Sequence, residues 1–275
     1  MRIYSSRLLA CAVTGLLAQT LLPGASSVPT GGNFVAGSGS ILASANALTI
    51  NQSSARGVIN WNNFSIGANG LVNFNNGSGA TLNRVTGGNM TTILGQLLAT
   101  GSVYILNPHG VLIGSSGTIK TTGDFVATPL QVSNGAFMKG GALLFAGNSN
   151  AIVKNLGAIS STGGSVFLLA NAVDNEGSVA AANGSVGLAA GHTVLLKDSS
   201  SDQRVFVESQ GGDITNSGSL TAAEPLPSGG APVSWSARSS ISLHPAASER
   251  ATATAYLTNA ETLAAWPAAT SERIS

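Results

Sequence analysis

The feature that most constrains this chain is a short motif that returns at fixed intervals. Asn155-Leu156-Gly157-Ala158-Ile159, Asn175-Glu176-Gly177-Ser178-Val179 and Asn216-Ser217-Gly218-Ser219-Leu220 share the pattern Asn-x-Gly-x-aliphatic, 20 and 41 residues apart. These intervals read as one and two units of a repeat of about 20. Ser116-Gly117-Thr118-Ile119 sets a partial copy 40 residues before the Gly157 one. A second series interleaves, GSVFLLA at 164–170 and GSVGLAA at 184–190, with a weaker third copy opening at 212. Each unit holds two or three short apolar runs between glycine or asparagine turns. One unit cannot bury its own apolar side, but stacked units can. The pattern predicts a parallel β-helix whose coils pair at about 4.8 Å.

Composition supports that reading. Charged residues are 8% of the chain, against about 25% in ordinary globular proteins. In a solenoid, like charges stacked coil on coil would repel. Glycine, 35 of 275 residues, supplies the corners, and asparagine tolerates left-handed turns and bonds along a column. A hydrophobic fraction of 43% is enough for a core and argues against simple disorder. A net charge of +1 provides no footprint for nucleic acid or anionic lipid.

Residues 1–27 read as a secretory signal: Arg2 and Arg7, an apolar stretch over 8–22, then small residues. Fifteen residues are too few to span a bilayer. The one cysteine, Cys11, lies inside this stretch, so the mature chain is expected to carry no thiol or disulfide. The solenoid is expected over 28–222. Within it, 41–50 suggests two short strands, and 57–61 and 70–74 are strand-like. Residues 103–113 form two apolar runs around a turn, and Phe34-Val35 opens a cap. In 90–98, Ile93, Leu94, Leu97 and Leu98 stand at helical spacing, which predicts a helical turn on the flank. Beyond 222 the repeat stops, proline gathers (Pro225, Pro227, Pro232, Pro245, Pro267) and no glycine follows Gly230. Residues 223–275 are expected to be an irregular tail, disordered or translated out of frame, with a weak Ala-rich helix over 250–266.

Catalytic constellations are absent from the sequence. Asp124, Asp174, Glu176, Asp198, Asp202, Glu208 and Asp213 are scattered, and Asp174 and Glu176 flank a turn. His109, His192 and His244 have no ligand spacing, and no nucleophile elbow, P-loop or dinucleotide fingerprint occurs. The chain is expected to be non-enzymatic, with no cofactor and no metal. The runs are too short and aromatics too few for a membrane barrel.

The middle of the chain carries a more specific order. Asn51-Gln52-Ser53 leads into GVINWNNFSIG at 57–67, then LNRVTG at 82–87, Ile93-Leu94-Gly95, and GSVYILNPHGVLIG at 101–114. Over residues 32–196 this resembles the two-partner secretion domain of filamentous-haemagglutinin-type exoproteins. The resemblance implies an all-β, right-handed parallel β-helix with an N-terminal cap. It also implies recognition in the periplasm by an outer-membrane barrel with POTRA domains, and the chain is expected to be a monomer. Such a chain passes out unfolded and folds at the surface of a Gram-negative cell, as the first part of an adhesin. The family tetrad Asn-Pro-Asn-Gly stands here as Asn107-Pro108-His109-Gly110. With Asn60, Trp61, Phe64, Asn83 and Arg84 it makes up the candidate recognition residues. Each also has a plainer role: the tetrad as a turn between core strands, Trp61 and Phe64 as packing, Arg84 as a local partner. Family members usually continue for many hundreds of residues, so this chain reads as the carrier without its cargo. Two rival functions are a free-standing module binding a glycan or host surface, and a β-helix polysaccharide-active enzyme.

Overall fold

The computed structural model describes residues 27–198, 203–208, 212–222 and 254–257. They form a parallel β-solenoid of about six turns with three faces. The parallel strands of the first face are Arg56–Trp61, Ala80–Val85, Ser102–Leu106, Phe125–Thr128, Val166–Ala170 and Val186–Ala190. Those of the second are Ala47–Gln52, Leu71–Asn75, Gln96–Ala99, Thr118–Thr121, Ala158–Ser161, Ser178–Ala181 and Ser219–Ala222. The third consists of Thr91–Ile93, Val111–Ile113, Ile152–Asn155, Ala172–Asn175 and Asp213–Asn216.

Strand registers place like residues over like. Leu48, Val72, Leu97, Ile119, Ile159, Val179 and Leu220 form one inward column of the second face. Each fully buried aliphatic of this size contributes roughly 1.5–3 kcal/mol. The outward row beside it is mostly polar: Thr49, Asn73, Leu98, Lys120, Ser160, Ala180, Thr221. That alternation is the period of 2 that a half-buried sheet requires.

The repeated Asn-x-Gly motif forms the corner between the third and second faces. Asn155 and Asn175 are fully buried, and their side chains bond along the stack. Two residues on, glycine is required by close approach: a Cβ on Gly177 would lie 2.2 Å from the carbonyl oxygen of Gly157, and one on Gly218 would lie 2.0 Å from that of Gly177.

Two intervals differ from the sequence reading. The 41 residues between Asn175 and Asn216 are one coil, not two, because Asp213–Asn216 pairs directly with Ala172–Asn175. The extra length is a hairpin, Thr193–Asp198 with Gln203–Glu208. Likewise Thr118 pairs with Ala158 because a helix, Asn134–Lys139, and a strand, Leu143–Ala146, are inserted between them. The two insertions join: Leu143–Ala146 pairs antiparallel with Thr193–Asp198. Together they cover the first face and bury its outward residues Val58, Leu82, Tyr104, Val126 and Phe167 in a second apolar cluster with Leu130, Phe137 and Phe145.

Residues 90–98 form two strands, Thr91–Ile93 and Gln96–Ala99, not a helical turn. Pairing with the coils on either side outweighs the local spacing, and Gly95 makes the corner between them. At the N-terminus, Asn33–Ala36 and Gly39–Ala43 lie antiparallel on the first coil and cap its edges. The signal segment and most of the tail lie outside the described residues. Within the stretch expected to be a weak helix, Thr254–Leu257 is instead a strand, paired antiparallel with Val186–Ala190. The edge of the last first-face strand supplies ladder partners that a short isolated helix lacks.

Candidate functional site

The Asn107-Pro108-His109-Gly110 tetrad is the corner between the first and third faces. The Gly110 amide donates to the Asn107 carbonyl at 2.9 Å and closes a four-residue turn. Asn107 Oδ1 accepts the His109 amide at 2.9 Å, and Asn107 Nδ2 donates to Asn89 O and Thr91 Oγ1, both at 2.9 Å. With no exposed surface, Asn107 is thus tied to the coil below. Gly110 has φ +98, and a Cβ there would meet Ile152 O at 2.8 Å. Pro108 and His109 are exposed. The third-position side chain therefore points into solvent, and histidine fits because its backbone amide makes the turn contact.

The second group lies inside the molecule. Trp61 Nε1 donates to Asn83 Oδ1 at 3.0 Å, and Asn83 Nδ2 donates to Tyr104 O at 3.2 Å. Trp61 meets Phe64 edge to face at 5.3 Å, and Phe64 leads on to Phe74 at 6.4 Å. All four side chains are buried. Asn60 is half-buried on the outer side, and its Oδ1 is enclosed with no hydrogen bond among the described residues. Arg84 reaches across to the first insertion. It donates to Gln131 Oε1 at 2.7 Å, Val132 O at 2.6 Å and Asn134 Oδ1 at 2.9 Å. Desolvation by burial lowers its pKa, and the acceptors stabilise its charge.

The structure thus divides the candidates. Pro108 and His109 form an outer corner, while Asn107, Trp61, Phe64 and Asn83 are interior and Arg84 is a clamp. Sequence reasoning missed what surrounds that corner. Met90 and Ile152 lie level with Gly110 on the solvent side of the third face, 39% and 42% exposed, and Leu94 stands beyond them at 37%. The available signal was their place between inward residues in the period of 2, masked in 90–98 by the apparent helical spacing. On the same face Lys154 bridges Asp174 and Glu176, both at 2.6 Å. The two carboxylates are a surface ion-pair set. Among the described residues no group of three His, Cys, Asp or Glu stands close enough to hold a metal.

The chain is thus a capped, three-faced parallel β-solenoid with the tetrad at a corner. The family model described as the TPS secretion domain matches residues 25–233, and the chain belongs to that family. It is 32% identical over 198 residues to a heme/hemopexin-binding protein of Haemophilus influenzae, covering 64% of this chain and 21% of that one. A second heme/hemopexin-binding protein of Haemophilus influenzae is 40% identical over 86 residues, 30% of this chain and 9% of that one. The chain therefore spans about a fifth or less of these relatives' length. Among solved structures, the HMW1 secretion domain from Haemophilus influenzae superposes with a TM-score of 0.65 at 29% identity, covering 71% of this chain and 54% of that one.

Proposed function

We propose that this chain is the export module of a surface adhesin-like exoprotein, recognised in the periplasm by a POTRA-containing outer-membrane barrel, and that it catalyses no reaction. The family supplies the general role: secretion from a Gram-negative bacterium with a dedicated outer-membrane transporter. The observation that carries the finer reading is the tetrad corner, a turn fixed by buried Asn107 that presents Pro108 and His109 to solvent beside Met90 and Ile152. A rigid exposed corner on a stacked sheet suits recognition of a folded or folding chain. Trp61, Phe64 and Asn83 are accessible to a transporter only before their coils close, whereas Arg84 is half-buried beneath the first insertion.

The test is export of the full chain with and without its candidate transporter, scored in the medium and at the cell surface. Two sets of variants accompany it. His109→Glu and Met90→Asp alter the exposed corner and leave the core intact, whereas Asn107→Ala and Trp61→Ala disturb folding. Transporter-dependent export lowered by the first set supports recognition at the folded corner. Loss only with the second set assigns recognition to the unfolded chain. Export that is equal without any transporter defeats the reading.

A further inference from the structure

Between the first face and the insertions that cover it lies a cleft of about 480 Å³. It opens at the corner joining the second and first faces and lies away from the tetrad. Its floor comes from one outward row, in which Arg56, Ala80, Ser102 and Asp124 stack on successive coils. Ala80 and Ser102 are small, whereas the neighbouring row carries Val58, Leu82, Tyr104 and Val126. Leu143 overhangs from the insertion. Small floor residues under a fixed roof leave a hollow in the size range of small-molecule sites.

The polar groups at its ends differ in kind. Arg56 donates to Phe137 O at 3.2 Å and stacks over the Phe137 ring, 5.1 Å from its centroid. Among the described residues that is the guanidinium's one hydrogen bond, so a planar five-donor fork held by an aromatic ring keeps donors to spare. Asp124 lies three coils along, about 14 Å at the usual strand spacing. Its Oδ1 accepts the Ser165 amide at 2.9 Å, and Tyr104 Oη donates to its Oδ2 at 3.4 Å. Serine hydroxyls and peptide groups of the glycine corner line the rim. We propose that this cleft binds a small acidic saccharide, with the ligand carboxylate on the Arg56 fork and its hydroxyls along the floor toward Asp124. A carboxylate matches the guanidinium bidentately. A run of hydroxyls suits the Ser102 hydroxyl, the serine rim and Asp124 beyond the guanidinium, which a bare anion would leave unfilled. The inference stands independently of the export reading.

The experiment titrates the intact chain with digalacturonate, its dimethyl ester and inorganic phosphate, following amide chemical shifts. The expected result is millimolar or tighter binding of digalacturonate, with shifts at residues 52–56 and 76–80 and binding of the ester about tenfold weaker. Arg56→Gln is expected to weaken digalacturonate by about the same factor and Arg56→Lys by less. The wild-type shift map stands even where a variant fails to fold. No binding, equal binding of acid and ester, phosphate binding as tightly as digalacturonate, or shifts confined to the third face would each overturn the proposal.

Discussion

Asn175 donates from its side-chain amide to Asn216 Oδ1 at 2.7 Å across 41 residues, and accepts from Asn155 at the same 2.7 Å across only 20. Equal geometry at unequal separation shows that the solenoid stacks coils, not sequence intervals. The ladder also extends an inward column that is aliphatic in earlier coils, where Ile113 occupies the place of Asn155.

Asn175→Ala removes both bonds and leaves the side-chain amide of fully buried Asn155 without its Asn175 acceptor. Each buried polar group left unsatisfied costs about 1–3 kcal/mol, so a loss of about 2–4 kcal/mol is expected in urea unfolding. A loss near zero would mean that water replaces the ladder at no cost.

The glycine of the motif is constrained by space. Gly177→Ala directs a methyl group at the Gly157 carbonyl, a neighbour fixed by its own ladder, and is expected to cost about 3 kcal/mol or more. Gly88→Ala is the control, since a Cβ there meets nothing within 4 Å. Thermal unfolding of the two variants should separate them clearly, and equal midpoints would refute the steric account.

Much of this architecture was legible because Asn, Gly and aliphatic positions each answer to one local demand: a ladder, a corner, a core column. The insertions were not, because a 41-residue interval fits two coils as well as one coil with a hairpin. A signal was present in residues 166–170, an unbroken apolar run where the other faces alternate. Every residue of Val166–Ala170 is buried, the mark of a sheet covered on both sides. Of the candidate site, the tetrad turn and the packing of Trp61 and Phe64 followed from residue chemistry. The partners of Arg84 did not, since Gln131 and Asn134 are 47 and 50 residues away in an insertion with no repeat to mark it.

That Arg84 clamp gives a third prediction. Arg84→Met removes three charge-assisted bonds to the first insertion, and a loss of about 2–3 kcal/mol is expected. Hydrogen exchange should quicken over 131–139 while the second-face strands stay protected. Arg84→Lys should not rescue it, because one ammonium cannot reproduce a fork that serves three acceptors. Uniform acceleration along the whole solenoid would show that the insertion and coils open together.

The third-face ion pairs behave differently. Hydrogen bonds to Asp174 and then Glu176 push the Lys154 pKa from its ordinary 10.5 up to about 12. A raised folded value means that the stabilisation is fully present below about pH 10.5 and is lost as pH climbs through about 12. The groups lie at the solvated surface, so Lys154→Met is expected to cost less than about 1 kcal/mol at neutral pH, and salt should shrink that further. Nitrogen-detected titration of the Lys154 Nζ would find its midpoint above the ordinary 10.5. If Lys154 titrates at its ordinary value, solvent screens the bridge in solution, and the third face relies on its ladder and inward column alone.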